Sequence, residues 1–461
     1  MQGENKDEKG MNLERSEMES ASGTAPAIKP LPRKALVILA FVVLAVVLVV
    51  SLSKRSPGEL PVYLRAASNL QHHETLYRRA DPKPFTYPPF FAVPMMPWLL
   101  IPESGHRVTW ALANAVVLAV GLWVIVRRVW PFLGATGKTW PQWVFWTWLT
   151  LMSLTHVLSP IENQSHDLWV FLLVVLAVDA SCQGGREPLV GLWAGLAAAC
   201  KATPALFLPV LLWQRRWVAG VLLVLTMVSA TLLTDVLWPA REGKLRVVQW
   251  YETFVAGQSV GAAADGMGAW ARWNRLNQSL SGTIYRLFTR VTENEFQTDV
   301  SLINLDHQTV RGITLLAQLV VVGWILVASR PGLSRGLAGG ELALRRFGEG
   351  GLVVCGTVLL SPMSSKAHFA VLLIPMAFCL IHFLYRRGGL VVGVSLVLVT
   401  VCSLLTAKDL WGRSLGNQIL ARGPVTLGAL LCLGATGYVL RTSGRRFRTG
   451  ETTGIGQASP A

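Results

Sequence analysis

The stretch TYPPFFAVPMMPWLLIP, residues 86–102, decides how this chain is threaded. It is apolar, yet it carries Pro88, Pro89, Pro94, Pro97 and Pro102. Each proline inside a helix removes a backbone donor and clashes with the preceding turn. A run so interrupted does not make a regular membrane crossing. It reads as a re-entrant or interfacial segment backed by protein. That reading puts the basic bursts QRRW (214–217) and YRRGG (385–389) on the same side as RRVW (127–130) and RRFR (445–448). Counted as a full crossing, 86–102 would send QRRW and YRRGG to the opposite side.

Outward from this segment, apolar runs recur from residue 34 to residue 441. Many have the length of about 17–25 residues that spans a bilayer. A hydrophobic content of 52% and a mean hydropathy of +0.44 fit an all-α polytopic membrane protein rather than a soluble domain. The net charge of +16 is concentrated in short bursts between apolar runs, the pattern of cytoplasmic loops. No basic face aimed at phosphates is evident, which excludes nucleic acid as a partner. The six cysteines (182, 200, 355, 379, 402, 432) sit in or at the ends of apolar runs without C-x-x-C spacing, and read as small packers. No His/carboxylate cluster suggests a metal, and no glycine loop suggests a nucleotide; the expectation is no metal and no cofactor.

The basic bursts thread the chain as follows. Residues 1–33 form a disordered cytoplasmic tail and 34–53 the first crossing. An outer loop, 54–106, contains the amphipathic piece LPVYLRAASNLQ, with Leu60, Tyr63, Leu64, Ala67 and Leu70 on one helical face. Crossings follow at 107–127 and 140–158, with GATGK (134–138) inside, and then at 167–182. A short pair, 189–201 and 204–214, turns at Lys201-Ala-Thr-Pro204, below the membrane surface as broken transporter helices do. Residues 217–238 lead to a large outer loop, 239–308. Crossings at 309–329, 349–362, 367–385, 388–406 and 424–441 precede a cytoplasmic tail, 442–461. The count is twelve, with both termini inside and 34–441 as a single transmembrane domain.

Six polar motifs then share the outer side: Glu59 in PGEL, TYPPF, ENQSHD (162–167), KATP (201–204), LNQSL (276–280) and SPMSSKAH (361–368). Polar groups beside apolar stretches are costly and mark function. Glu59 reads as a general base, or as a solvated interfacial charge near Lys54 and Arg55. TYPPF, with Tyr87, reads as an aromatic belt or as the mouth of a lipid groove. Asn163 and Asp167, four apart, can share a helix face; Asp167 is a rival base or a favourable charge on a helix N-terminus. Lys201 reads as a partner for an anion such as a lipid phosphate, or as a snorkelling side chain. Lys366 and His368 at a helix start suit a phosphate. Arg272, Arg275, Arg286 and Arg290 flank LNQSL as further cations or as ordinary solvated charges.

The order of these motifs resembles glycosyltransferase family 87. The runs GELPVYLRAASNLQHHETLY (58–77) and FTYPPFFAVPMMPWLLIP (85–102) resemble the family's opening. ENQSHDLWVFLLVVLAV, GLWAGLAAACKATPALFLPVLLWQRRW, NQSLSGTIYRL and LLSPMSSKAHFAVLLIPM follow in the family's order, so that the resemblance covers about 55–385. It implies a GT-C-type fold of the bacterial plasma membrane. It also implies an inverting transfer of a sugar, mannose by analogy, from a polyprenyl-phosphate donor to a hydroxyl of a lipid or glycan acceptor outside the membrane. The family's catalytic aspartate is matched by Glu59, and the Ser-x-Ser-Trp-x-His-His pattern reads Ser364-Ser365-Lys366-Ala367-His368, two departures. The implied roles are Glu59 as base and Lys201, His368 and Lys366 at the donor phosphate. Tyr63, Tyr87, Asn163, Gln164, Asp167, Asn277 and Gln278 are the substrate-cavity candidates. The competing reading is a transporter or flippase of a lipid-linked or anionic substrate, which broken helices and intramembrane charges would also suit.

Overall fold

A computed structural model of the chain describes residues 33–446 apart from 54–55, 57, 79, 82, 134–139, 257–270, 272, 295 and 387. The tail before residue 33, the GATGK loop, Lys54, Arg55 and Arg272 lie outside the described residues, as does most of the C-terminal tail. Extended backbone pairs only at an isolated bridge between Asn274 and Gln297 among the described residues. Everything else regular is helical.

Helix α1 (Arg33–Ser53) packs on α3 (Glu103–Val129). Only Val43 and Val47 of its large apolar side chains are buried, while Val37, Ile38, Phe41 and Val49 are exposed. Such a helix is stable only where its outer face meets lipid. Between α1 and α3 lie α2 (Leu60–Gln71) and a 3-10 helix, Pro89–Leu100. The proline-rich run therefore folds without α-helical bonds, as Pro94 and Pro97 inside it require. The amphipathic face of α2 is slightly rotated from expectation. Val62, Ala66 and Asn69 are buried with Leu60, Tyr63, Ala67 and Leu70, whereas Leu64 is only half-buried.

The next elements are α4 (Gln142–Glu162), α5 (Asp167–Ser181), α6 (Glu187–Cys200), a 3-10 turn at Thr203–Leu206, α7 (Phe207–Trp213) and α8 (Trp217–Leu237). In the large loop only α9 (Arg246–Trp250), a π-helical turn at Tyr251–Val255 and α10 (Leu280–Phe288) are helical among the described residues. Then come α11 (His307–Ala328), a 3-10 turn at Pro331–Ser334, α12 (Gly339–Leu359), a 3-10 helix at Lys366–Leu372, α13 (Leu373–Tyr385), α14 (Leu390–Leu405), α15 (Lys408–Trp411), α16 (Arg413–Ala421) and α17 (Pro424–Arg446).

Six of these segments are long and apolar enough to cross a membrane: 103–132, 142–162, 217–237, 307–334, 366–385 and 424–443. Five more apolar helices are shorter. The expected count of twelve crossings therefore rests on helices below spanning length. At about 1.5 Å per residue the 14-residue α6 reaches about 21 Å, short of a hydrocarbon core of about 30 Å. Two boundaries also differ. The crossing expected at 349–362 is the end of a helix that starts at Gly339, because Arg345, Arg346 and Glu349 neutralise one another inside it. The last helix continues to Arg446, into the segment expected as tail.

The 366–385 span is the axis of the bundle, 89% buried, whereas 217–237 and 307–334 are 28% buried and form its apolar rim. The most extensive helix pair is α6 with α8. Its closeness comes from Gly191 and Gly195, where a Cβ would lie 2.5 Å from the Ala219 carbonyl oxygen and 2.7 Å from that of Leu223. Small residues four apart let membrane helices touch backbone to backbone.

Arginines of RRVW, QRRW and YRRGG, with Arg346, gather at one end of the bundle and find carboxylate partners. Arg127 and Arg128 reach Asp179, the former at 2.9 Å. Arg216 meets Glu187 at 2.9 Å, Arg346 meets Glu349 at 2.9 Å, and Arg386 meets Glu341. Asp167 and Asp179 begin and end α5, about 18 Å apart at 1.5 Å per residue, so the ENQSHD motif lies at the other end. Replacing Gly195 with leucine should force α6 off α8 and cost about 1–3 kcal/mol, the range for overpacking. A fall in the thermal midpoint of the detergent-solubilised protein is the expected readout.

Candidate active site

The site begins where α4 gives way to α5. Pro160 leaves its carbonyl free to accept the Ser165 N–H at 2.9 Å. Gln164 takes a left-handed backbone, φ +48°, and its carbonyl accepts the Trp110 indole N–H at 3.0 Å. This reversal separates Asn163, the C-cap of α4, from Asp167, the first residue of α5. The two do not share a helix face as their spacing suggested. Asn163 is exposed, and the Gln164 amide is turned toward the Ser51 carbonyl.

Asp167 is turned inward and fully engaged. Its Oδ1 accepts Lys201 Nζ at 2.6 Å and its Oδ2 accepts Ser165 Oγ at 2.8 Å. Lys201 can reach it because α6 stops at Cys200 and Lys201 adopts extended backbone, φ −154° and ψ 122°. A helix C-terminus also favours a cation. The pair is nearly dry, with side chains 7% and 11% exposed. His368 completes the group, its Nε2 3.8 Å from the same Asp167 Oδ1.

His368 is placed by the segment before it. Asn277 Nδ2 donates to the Pro362 carbonyl at 3.2 Å, and its Oδ1 accepts the Ser364 N–H at 3.3 Å. The Gln278 N–H donates to the Ser364 carbonyl at 2.6 Å, and its side-chain amide donates to the Leu420 carbonyl at 2.8 Å. LNQSL thus stands behind the SPMS segment, tying it to α16, and the structure does not bring Asn277 or Gln278 to Asp167. Arg286, 1% exposed, donates to the carbonyls of Ala421 (2.8 Å), Asn274 (2.9 Å) and Asn277, which makes it a clamp for this loop. Burial pulls its guanidinium down to about 9. Lys366 is also elsewhere: its Nζ donates to the Thr406 carbonyl at 3.0 Å, at the C-terminus of α14.

Glu59 stands at the edge of this group. Its backbone N–H donates to the Asn163 carbonyl at 2.9 Å, which locks the start of α2 onto the ENQSHD turn. Gly58 permits this contact: its φ is +62°, and a Cβ there would lie 2.1 Å from that carbonyl oxygen. The Glu59 side chain is 33% exposed, caps nothing, and has Lys83 Nζ 3.5 Å away. Tyr63, one turn on, shares its hydroxyl with His166 Nδ1 at 3.1 Å. Tyr87 and Phe91 bring their rings within 4.3 Å of the His166 ring. Burial pushes both tyrosine hydroxyls well up, so they act as neutral groups.

All six motifs are therefore linked. PGEL touches ENQSHD, TYPPF closes on His166, Lys201 and His368 converge on Asp167, and LNQSL holds SPMSSKAH. The residues passed over in the sequence were His166, Ser165 and Lys83. His166 was legible as a polar residue inside a motif already singled out, but only the fold shows that its ring faces three aromatic side chains. A cavity of about 20 Å³, room for one water, lies at the basic end beside Gln214, Arg216, Arg346 and Glu349 and has no part in this group.

An apolar helical bundle with a buried charge cluster at one end defines a membrane protein with a site for polar chemistry. Residues 85–362, more than half of the chain, match glycosyltransferase family 87, and the chain belongs to that family. Among relatives, the polyprenol-phosphate-mannose-dependent alpha-(1-2)-phosphatidylinositol mannoside mannosyltransferase of Mycolicibacterium smegmatis is 33% identical over 140 residues, 29% of this chain and 31% of that one. The polyprenol-phosphate-mannose-dependent alpha-(1-2)-phosphatidylinositol pentamannoside mannosyltransferase of Mycobacterium tuberculosis is 31% identical over 166 residues, 34% of this chain and 36% of the relative. The matched segments thus span about a third of the relatives' length. ArnT from Cupriavidus metallidurans, in a structure bound to undecaprenyl phosphate, overlaps 90% of this chain and 79% of its own at 14% identity. Its TM-score of 0.43 is too low to carry an argument.

Removing one partner of a buried ion pair leaves an uncompensated charge, at a cost of about 3–5 kcal/mol. Asp167→Asn should therefore lower the thermal midpoint sharply, and adding Lys201→Met should restore much of the loss. Equal midpoints for the single and double variants would show that the pair is not coupled.

Proposed function

We propose that this enzyme transfers mannose from a polyprenyl-phosphate donor to an acceptor hydroxyl at the extracytoplasmic face of the plasma membrane, with inversion. The observation that carries the reading is a division of labour between two carboxylates. Asp167 is buried and fully engaged by Lys201 and Ser165, whereas Glu59 is part-exposed at the edge of the same cluster. A general base must meet its substrate's proton, which only Glu59 is free to do.

In this mechanism the donor enters sideways from the bilayer, its phosphodiester facing Lys201 and His368. The acceptor oxygen attacks the anomeric carbon from the opposite face as Glu59 takes its proton. The new C–O bond forms as the bond from the anomeric carbon to the phosphate oxygen breaks, and polyprenyl phosphate leaves with one more negative charge. The Lys201 ammonium, already in place, stabilises that charge without reorganising. Asp167 keeps the Lys201 ammonium oriented rather than acting on substrate. Lys366, committed to Thr406, has no part in donor binding. Tyr63 and Tyr87 form an aromatic wall beside the cluster. The mannose assignment draws on the two mycobacterial relatives, whose names carry that donor. The outward orientation draws on the basic bursts at the opposite end, which the positive-inside rule puts in the cytoplasm with both termini. The reading includes no metal and no cofactor.

Purified protein given labelled polyprenyl-phosphate mannose and a panel of lipid and glycan acceptors should form product, and chelator should leave the rate unchanged. Glu59→Gln should lower kcat by about 10²–10⁴, the usual contribution of a general base. Undiminished transfer in that variant would remove Glu59 from the mechanism. For sidedness, a Lys83→Cys protein should react with a membrane-impermeant maleimide in intact cells; labelling only after lysis would invert the topology.

A further inference from the structure

His166, in the ENQSHD turn, is a buried side chain whose chemistry the mechanism above leaves unused. It is completely buried, and its Nε2 has no hydrogen-bond partner among the described residues. Leaving a buried polar group unmade costs about 1–3 kcal/mol, and such groups persist where a ligand completes them. Its other nitrogen is committed. The Tyr63 hydroxyl accepts the His166 backbone N–H at 3.3 Å and meets Nδ1 at 3.1 Å. The phenol also meets the Tyr87 side chain, and the tautomer proposed below has the phenol's single proton on the Nδ1 side. The proton of the neutral imidazole then sits on Nε2, at the far side of the ring from Tyr63. Burial keeps the ring neutral, pulling it down to about 3, with Asp167 opposing the shift and Lys201 adding to it. Tyr87 and Phe91, at 4.3 Å on either contact, keep the ring from turning.

We propose that the His166 Nε2–H is a third hydrogen-bond donor to the phosphate of the lipid-linked sugar, held in its donating tautomer by Tyr63. The assignment rests on the lipid-phosphate reading and adds a neutral donor to Lys201 and His368. A neutral donor grips the phosphodiester of the bound sugar and the phosphomonoester of the product without changing its own protonation. Tyr63 is a positioning residue here; it acts through the imidazole.

The test is equilibrium binding of undecaprenyl phosphate and of undecaprenol to the purified full chain. His166→Phe keeps an aromatic ring and removes the donor. It should weaken undecaprenyl phosphate binding about 10- to 100-fold, the worth of a hydrogen bond to a charged group, and leave undecaprenol binding unchanged. His166→Gln, which restores an N–H, should stay within about threefold of wild type, and Tyr63→Phe should fall between. The proposal is overturned if His166→Phe binds the phosphate as wild type does, or if it loses phosphate and alcohol alike, which would mean that the ring only packs. Should His166→Phe not fold, Tyr63→Phe decides, and wild-type affinity in that variant overturns the proposal. Wild-type protein that binds neither lipid refutes the lipid-phosphate reading itself, a result distinct from wild-type binding that the variants leave intact.

Discussion

The ion pair between Lys201 and Asp167 is the constraint on which the active end of the molecule depends. Two charges placed among apolar helices lose several kcal/mol of hydration each, and only close geometry with further hydrogen bonds makes up the loss. Both conditions hold here: a contact of 2.6 Å, with Ser165 on the second carboxylate oxygen. To meet, the two residues need α6 to stop short and α5 to start late. The broken α6–α7 hairpin and the left-handed turn at Gln164 supply those ends. Neither feature is a defect in a spanning helix; both are what brings polar groups to one depth.

Around that pair the chain builds in shells that differ in water access. Asp167 and Lys201 are dry, His368 touches them from the axial 366–385 span, and Glu59 stands further out with Lys83. Behind His368, Asn277, Gln278 and Arg286 spend their hydrogen bonds on backbone carbonyls. These three side chains therefore brace the last motif from behind. The graded exposure suits the proposed transfer, in which an anion is held away from water while a hydroxyl arrives from it.

The opposite end shows the same economy of charge. Arg127, Arg128, Arg216, Arg346 and Arg386 each face a carboxylate from Asp179, Glu187, Glu349 or Glu341. These arginines of the basic bursts staple helix ends together. The bundle is thus closed by ion pairs at both ends and by apolar packing between, with backbone contact where Gly191 and Gly195 meet α8.

Membrane class, helical architecture, the order of the motifs and the family resemblance were all legible in the residues. Apolar run length, proline placement and basic bursts are local quantities that need no partner to be read. The failure of 86–102 to form an α-helix followed from its prolines alone. Which polar residues meet was decided only in three dimensions. Lys366 and His368 lie two residues apart, yet one turns to Thr406 and the other to Asp167, because the 3-10 helix that carries them sets their directions. Asn163 and Asp167 have helical spacing but are parted by the Gln164 reversal, which no periodicity signals. His166 became visible as a site residue only once Tyr63, from more than a hundred positions earlier, took one of its nitrogens and burial stranded the other. Sequence spacing constrains neighbours along one helix; contacts between helices depend on where each one starts, stops and turns.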